Sequence, residues 1–531
     1  MKRGPALNGI NAITGNYLEP GVSEEELAWG IRNAKRDHSR ERVLELAFEA
    51  FGRRKDPDRR PAPGVDPKNL ASSGWGVIFP ENISLEVRDA LAPLLNYRKQ
   101  QAGKGEYFRE LVYKPGWSKD EFFKELGVND GPAHPEQLPY YLLLVGGEEQ
   151  IPHRFQYMLD VQYAVGRLDF DNPKDYRTYA ENVKACERGS AEVSPEAVLF
   201  GASHENDLAT LQSRAHLVRP LDSELREKHR EWPLRTIEQG RKEELVRLFN
   251  DGRAPALLFT ATHGLAYPSG HPEQRELQGS LLCQDWEGPG SGPIPDSAFF
   301  SARDLPDAAR LRGIVAFLFG CYTAGTPELD GFPPLPMRNR IRRAPRHFTS
   351  GLVRRLLAHP GGGALAVVGH VDRAWTHSFS PGRGKSVGVI SYVVQHMLSG
   401  FPVGCAMDFL NERFSETSTY LTDHLNQQKV PLQRGSSDEE LTPEELIEAW
   451  RMYTDARNYV VYGDPAVRLV VGSSGEPSMS SGLPTASSEG TLSLGQRLDA
   501  ALTGLRSRSP VPVLDSAPDD RPTDDEEEGA W

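Results

Sequence analysis

From about residue 71 to 472, short apolar runs alternate with amphipathic segments. WGVIFP, YYLLLVGG, YAVGRL, AVLFGAS, LRTIEQ, ALLFTATHG, GIVAFLFGC and GALAVVGHV read as strands. Between them SLEVRDALAPLLNYRKQQ, NPKDYRTYAENVKACER, ATLQSRAHLVRPL, RKEELVRLFND and HFTSGLVRRLLAH read as helices. Strands that are apolar throughout need cover on both sides, and strands joined by helices run parallel. The pattern predicts an α/β fold with a mostly parallel sheet and helices on both faces. In such sheets ligands bind beyond the carboxyl ends of the strands, so polar residues placed there are the first candidates for chemistry.

The flanks differ. Residues 1–70 carry a helical pattern (SEEELAWGIRNAKRDHSRERVLELAFEAFGRR) and end in the basic, Pro-rich RKDPDRRPAPGVDPKN, which predicts a helical extension with a linker. The core then divides into an N-terminal α/β subdomain (71–190) and a larger α/β domain (191–472). Residues 473–531 are rich in Ser, Pro, Gly and acid and predict a disordered acidic tail, because they cannot bury enough apolar area to offset ordering entropy. Within it Leu494, Leu498, Leu502 and Leu505 share one face of a short amphipathic helix.

Composition narrows the classes. With 531 residues, 38% of them apolar, the chain is long enough for a sizeable core. Its apolar runs fall far short of spanning length and no secretory leader opens it, so a soluble, cytoplasmic protein without membrane contact is expected. A net charge of −13 argues against nucleic acid as a partner. Four scattered cysteines form no disulfide framework and no metal-ligand spacing; neither a metal nor a cofactor is expected.

Two strands end in reactive residues: ALLFTAT runs into His263-Gly264, and GIVAFLF into Gly320-Cys321. A thiol, an imidazole and backbone amides are the parts of a cysteine peptidase, as nucleophile, general base and acid, and oxyanion donors. The amides of Gly264 and Cys321 are candidate donors, each worth about 3 kcal/mol of barrier when well placed. Cys186, Cys283 and Cys405 fit buried structural roles in KACER, GSLLCQDW and VGCAMDFL. A dyad of this kind predicts that Cys321 alkylates faster than the other three.

Five ordered segments give the chain a resemblance to the caspase-like (clan CD) cysteine peptidases, closest to their gingipain-like family. They are LLLVGGEEQIPHRF; VGRLDF followed by NPKDYRTYAENV; FTATHG; FLFGC; and GALAVVGHVDRAW followed later by NYVVYGDPAVRL. The resemblance covers about 140–472. It implies a caspase-like three-layer sandwich preceded by a gingipain-like α/β subdomain, and a Cys-His dyad carried by Cys321 and His263. It also implies that Trp375 walls the specificity pocket and that Asp160 either orients the histidine or lines that pocket; Asp372, three residues before Trp375, is a second candidate for a pocket acid, and an acid facing the pocket would favour Arg or Lys in a protein or peptide substrate. Relatives of this type often serve in bacterial defence or cell death. An alternative is a catalytically silent scaffold that binds a regulatory protein partner; a third is another hydrolase or acyltransferase using the same dyad.

Other polar segments have plainer readings. Glu148 and Glu149 read as exposed loop acids, GDPAVRL as a structural turn into a terminal strand, and His370 as a neighbour of the active edge. The loop bearing Arg338, Arg340, Arg342, Arg343 and Arg346 is a candidate for self-processing or for clamping an acidic segment.

Overall fold

The computed structural model describes residues 9–18, 23–33, 61–129, 131–191, 193–250, 253–331, 341–375, 388–427 and 441–470. The Leu494–Leu505 helix, Arg338 and Arg340 lie outside the described residues.

Ten strands form one sheet: β1 (Trp75–Pro80), β2 (Phe108–Tyr113), β3 (Tyr141–Val145), β4 (Ala164–Leu168), β5 (Ser194–Gly201), β6 (Leu234–Ile237), β7 (Pro255–Ala261), β8 (Val315–Phe319), β9 (Ala366–His370) and β10 (Tyr459–Gly463). Their order is β2-β1-β3-β4-β10-β9-β8-β7-β5-β6. The pairs within β1–β4 and within β5–β9 are parallel; β10 runs antiparallel to β9 and meets β4 at Tyr462 opposite Arg167. β1, β3, β4, β7, β8, β9 and β10 are buried at every position, so both faces of the sheet are covered, as their mostly apolar sequences require. The fold is mixed α/β.

Local chemistry sets the helix starts. Asn172 accepts the Asp175 N–H ahead of Pro173–Ala185, with proline in the first turn. Ser118 with Glu121, and Thr442 with Glu445, form reciprocal capping boxes for Lys119–Leu126 and Pro443–Arg457. Among the described residues no helix is long and apolar enough to cross a membrane.

The chain near its start packs on the sheet's working edge. Ile10–Asn11 pairs in parallel with Leu265–Ala266, immediately after His263-Gly264. The helix Glu24–Asn33 lays Leu27, Ala28 and Ile31 against Trp375, Leu446 and Trp450.

The GDP turn ends β10, with no strand after it among the described residues, and its acid is structural. Asp464 is fully buried, accepts the Trp75 indole N–H at 3.0 Å and pairs with Arg98 Nε at 2.6 Å; Arg98 reaches on to Glu187 at 2.6 Å. Removing one member of a buried ion pair strands its partner without water. Asp464→Ala is therefore expected to lower unfolding stability by roughly 3–5 kcal/mol, read as a shift of the urea midpoint; an unshifted midpoint would count against this role.

Candidate active site

β7 and β8 are paired from Leu257 opposite Val315 to Ala261 opposite Phe319. The chain leaves both strands at one level, with His263 and Cys321 each two residues past the last pair. The exits are tightly apposed: a Cβ on Gly264 would lie 1.7 Å from the Cys321 carbonyl oxygen, so only glycine fits. Tyr322 then turns with φ 60°, a left-handed conformation costing a bulky residue on the order of 1–2 kcal/mol. Its N–H donates to the Asp372 carbonyl at 2.8 Å, which ties the turn after Cys321 to the segment after β9.

His263, Cys321 and Trp375 line one small cleft with Thr210, Ser213 and Ala374, enclosing about 30 Å³. Behind the histidine stands an acid that sequence reading missed. Asp207 Oδ2 lies 2.7 Å from His263 Nε2. Its side chain is fully buried, accepts the Thr210 N–H at 3.3 Å, and takes a hydrogen bond from the Tyr17 hydroxyl on its other oxygen. Burial opposes ionisation of Asp207, but the His263 imidazole and the hydrogen bonds from His263, Tyr17 and Thr210 outweigh it and hold the carboxyl well below the usual range. The rings of Tyr17 and Trp286 meet His263 edge-on at 6.3 Å and 6.0 Å, which fixes the imidazole plane.

Two signals in the sequence could have pointed to Asp207: it follows an apolar run, AVLFGAS, and it has the N-cap position of Leu208–Ser213. Tyr17 left no such signal, because only the pairing of Ile10–Asn11 with Leu265–Ala266 brings it there.

The cleft is closed. Cys321 is 3% exposed and His263 6%. The Cys321 thiol donates to the Ala374 carbonyl at 3.8 Å, and burial pushes its pKa up to about 12. This differs from the fast-alkylating thiol expected from sequence: a desolvated thiol holds its proton. Trp375 completes the cover, its backbone N–H donating to the Asp455 carboxylate at 2.7 Å and its ring packed by Trp450 at 6.2 Å and Arg451 at 5.3 Å. Trp375→Ala should raise the rate of Cys321 alkylation by iodoacetamide at least tenfold, followed by peptide mass mapping. An unchanged rate would show that something other than Trp375 shields the sulfur.

No family model and no curated protein matches the chain. Among solved structures it is similar to one described as "Structure of Protease", with a TM-score of 0.43, 11% identity, and coverage of 75% of this chain and 79% of that one. It is also similar to the complex of Porphyromonas gingivalis RgpB pro- and mature domains, with a TM-score of 0.39, 12% identity, and coverage of 75% and 80%.

The two expected pocket acids do not join the cleft. Asp160 is buried after the helix His153–Leu159, and burial raises its carboxyl well above the usual range, with Arg167 opposing. Asp372 turns the other way, accepting the Gly331 N–H at 3.1 Å and the Arg373 N–H at 2.8 Å. It lines a separate cavity of about 280 Å³ with Asp330, Arg457 and Glu148. Burial and the neighbouring Asp330 raise its carboxyl. His370 is fully buried and held by the Asp455 carbonyl at 3.1 Å, so it faces the interior. Glu149 is exposed as expected, whereas Glu148 is mostly covered and pairs with His153.

Proposed function

We propose that the chain is a cysteine endopeptidase, held in a closed form, in which Cys321 is the nucleophile, His263 the base and acid, and Asp207 the group that orients His263. The observation that carries this reading is the placement of His263 and Cys321 at adjacent strand exits, with a buried carboxylate 2.7 Å behind the imidazole. In the reaction His263 takes the thiol proton as sulfur attacks the scissile carbonyl, then gives it to the departing amine. Water hydrolyses the resulting thioester and returns the free thiol. The amides of Gly264 and Cys321 would hold the oxyanion; neither is used in the turn and loop hydrogen bonds of the described residues. With Asp160 and Asp372 outside the cleft, we assign no preference for basic residues.

The covered thiol favours a second reading, a silent scaffold whose site no longer opens. A peptide-library cleavage profile of the full chain and of its Trp375→Ala variant separates the two. Discrete cleavage positions support the peptidase; an untouched library with both proteins supports the scaffold.

A further inference from the structure

Away from the cleft, Glu148, His153 and His347 converge on one point. Glu148 follows β3, His153 opens the next helix, and His347 precedes the short strand Phe348–Thr349 that pairs with Gly325–Thr326. We propose that these three residues bind a borderline divalent transition metal, zinc in class, independently of the peptidase reading. Their ligand atoms all lie within 4.8 Å of one another. His153 Nδ1 is 2.5 Å from Glu148 Oε2, and His347 Nε2 is 3.7 Å from Glu148 Oε1. Ligands about 2.1 Å from a tetrahedral zinc stand about 3.4 Å apart. Seating the ion thus needs the first pair to part by about 0.9 Å and His347 to swing in by up to about 1.4 Å. His347 is a partly exposed side chain and can make that adjustment.

Two imidazoles and one carboxylate suit zinc, cobalt or nickel, whereas calcium and magnesium take oxygen shells. The outer contacts orient His153 for this role. With Nδ1 turned to the metal, its Nε2–H faces the Tyr462 hydroxyl at 3.4 Å. Thr349 Oγ1 lies 3.0 Å from that hydroxyl and 2.6 Å from Asp169 Oδ2. Thr349 has one proton, best given to the carboxylate, so Tyr462 donates to Thr349 and is left to accept from His153. Such second contacts fix the tautomer of a metal-binding histidine. All three ligands line both the cavity of about 280 Å³ and a neighbouring one of about 390 Å³, which leaves a fourth position open to water or a small ligand. Arg154 and Arg457 in the first cavity and Arg275, Arg346 and Arg354 in the second oppose a cation; Asp330, Asp372, Glu149, Asp169 and Asp171 offset them.

Spacing could not show this set, because His347 is far from the other two in sequence and only the strand Phe348–Thr349 brings it back. The test is a zinc titration of the full chain against a colorimetric indicator, repeated with His347→Ala, Glu148→Gln and the control His271→Ala, which removes a histidine of the second cavity outside the triad. One equivalent of zinc is expected in wild type and control, weakened at least tenfold in both triad variants. Co²⁺ should give tetrahedral visible absorption that His347→Ala abolishes. Equal zinc binding by wild type and His347→Ala, or displacement of the zinc by Mg²⁺, would overturn the assignment.

Discussion

Cys321→Ala is expected to lower peptide cleavage by at least about 10³-fold, because deleting a nucleophile leaves only binding and oxyanion stabilisation to act. Cys321→Ser should be nearly as inactive although it preserves shape, since a serine hydroxyl is far harder to deprotonate than a thiol. Both substitutions are small in a buried site, so thermal midpoints within a few degrees of wild type would show that lost turnover is chemical rather than structural. The comparison belongs in the wild-type and Trp375→Ala chains alike, because closure over a thiol at about 12 lowers the starting rate of the former. Turnover that survives Cys321→Ala in either background removes the proposed nucleophile.

The apolar strands were legible in sequence because a strand covered on both faces has no polar positions to disguise it. ALLFTATHG and GIVAFLFGC became the neighbours β7 and β8, and their shared level followed from the register. β2 was missed: FRELVY lies at the edge of the sheet, and its charged residues face solvent. Pro443–Arg457 was missed as well, although a capping box opens it. His263 and Cys321 stood out as candidates because each follows a buried strand. Asp207 was not read because its role depends on β5 lying beside β7, an adjacency that no local pattern encodes. Asp160 and Asp372 lie outside the cleft for a matching reason: position near the edge does not fix the direction in which a side chain turns, and backbone amides claim the Asp372 carboxylate. Closure was equally invisible, because it requires Glu24–Asn33 and Pro443–Arg457 to converge on Trp375.

Asp207→Asn should lower kcat by roughly 10²–10⁴-fold with little change in KM, the penalty expected when a triad carboxylate becomes an amide and no longer selects the productive imidazole tautomer. The carboxylate accepts from His263 at 2.7 Å; an amide can present an N–H there instead and reverse the polarity of the contact. Positioning through the dyad has a further signature: in a Cys321→Ala background Asp207→Asn should cost nothing more, since residues acting as one unit are not additive. Tyr17→Phe, which removes the hydroxyl donated to the other oxygen, should produce a smaller loss in the same direction. Stability gives an independent check with a definite sign. The Asp207 carboxyl is depressed in the fold relative to an unfolded aspartate near about 3.9. Its contribution is therefore fully present above about pH 4 and is lost as pH falls from there toward the folded value. Wild type should lose urea stability across that acid range more steeply than Asp207→Asn, whose amide does not titrate. Parallel pH curves for the two proteins, or an unchanged kcat, would mean that Asp207 only caps its helix.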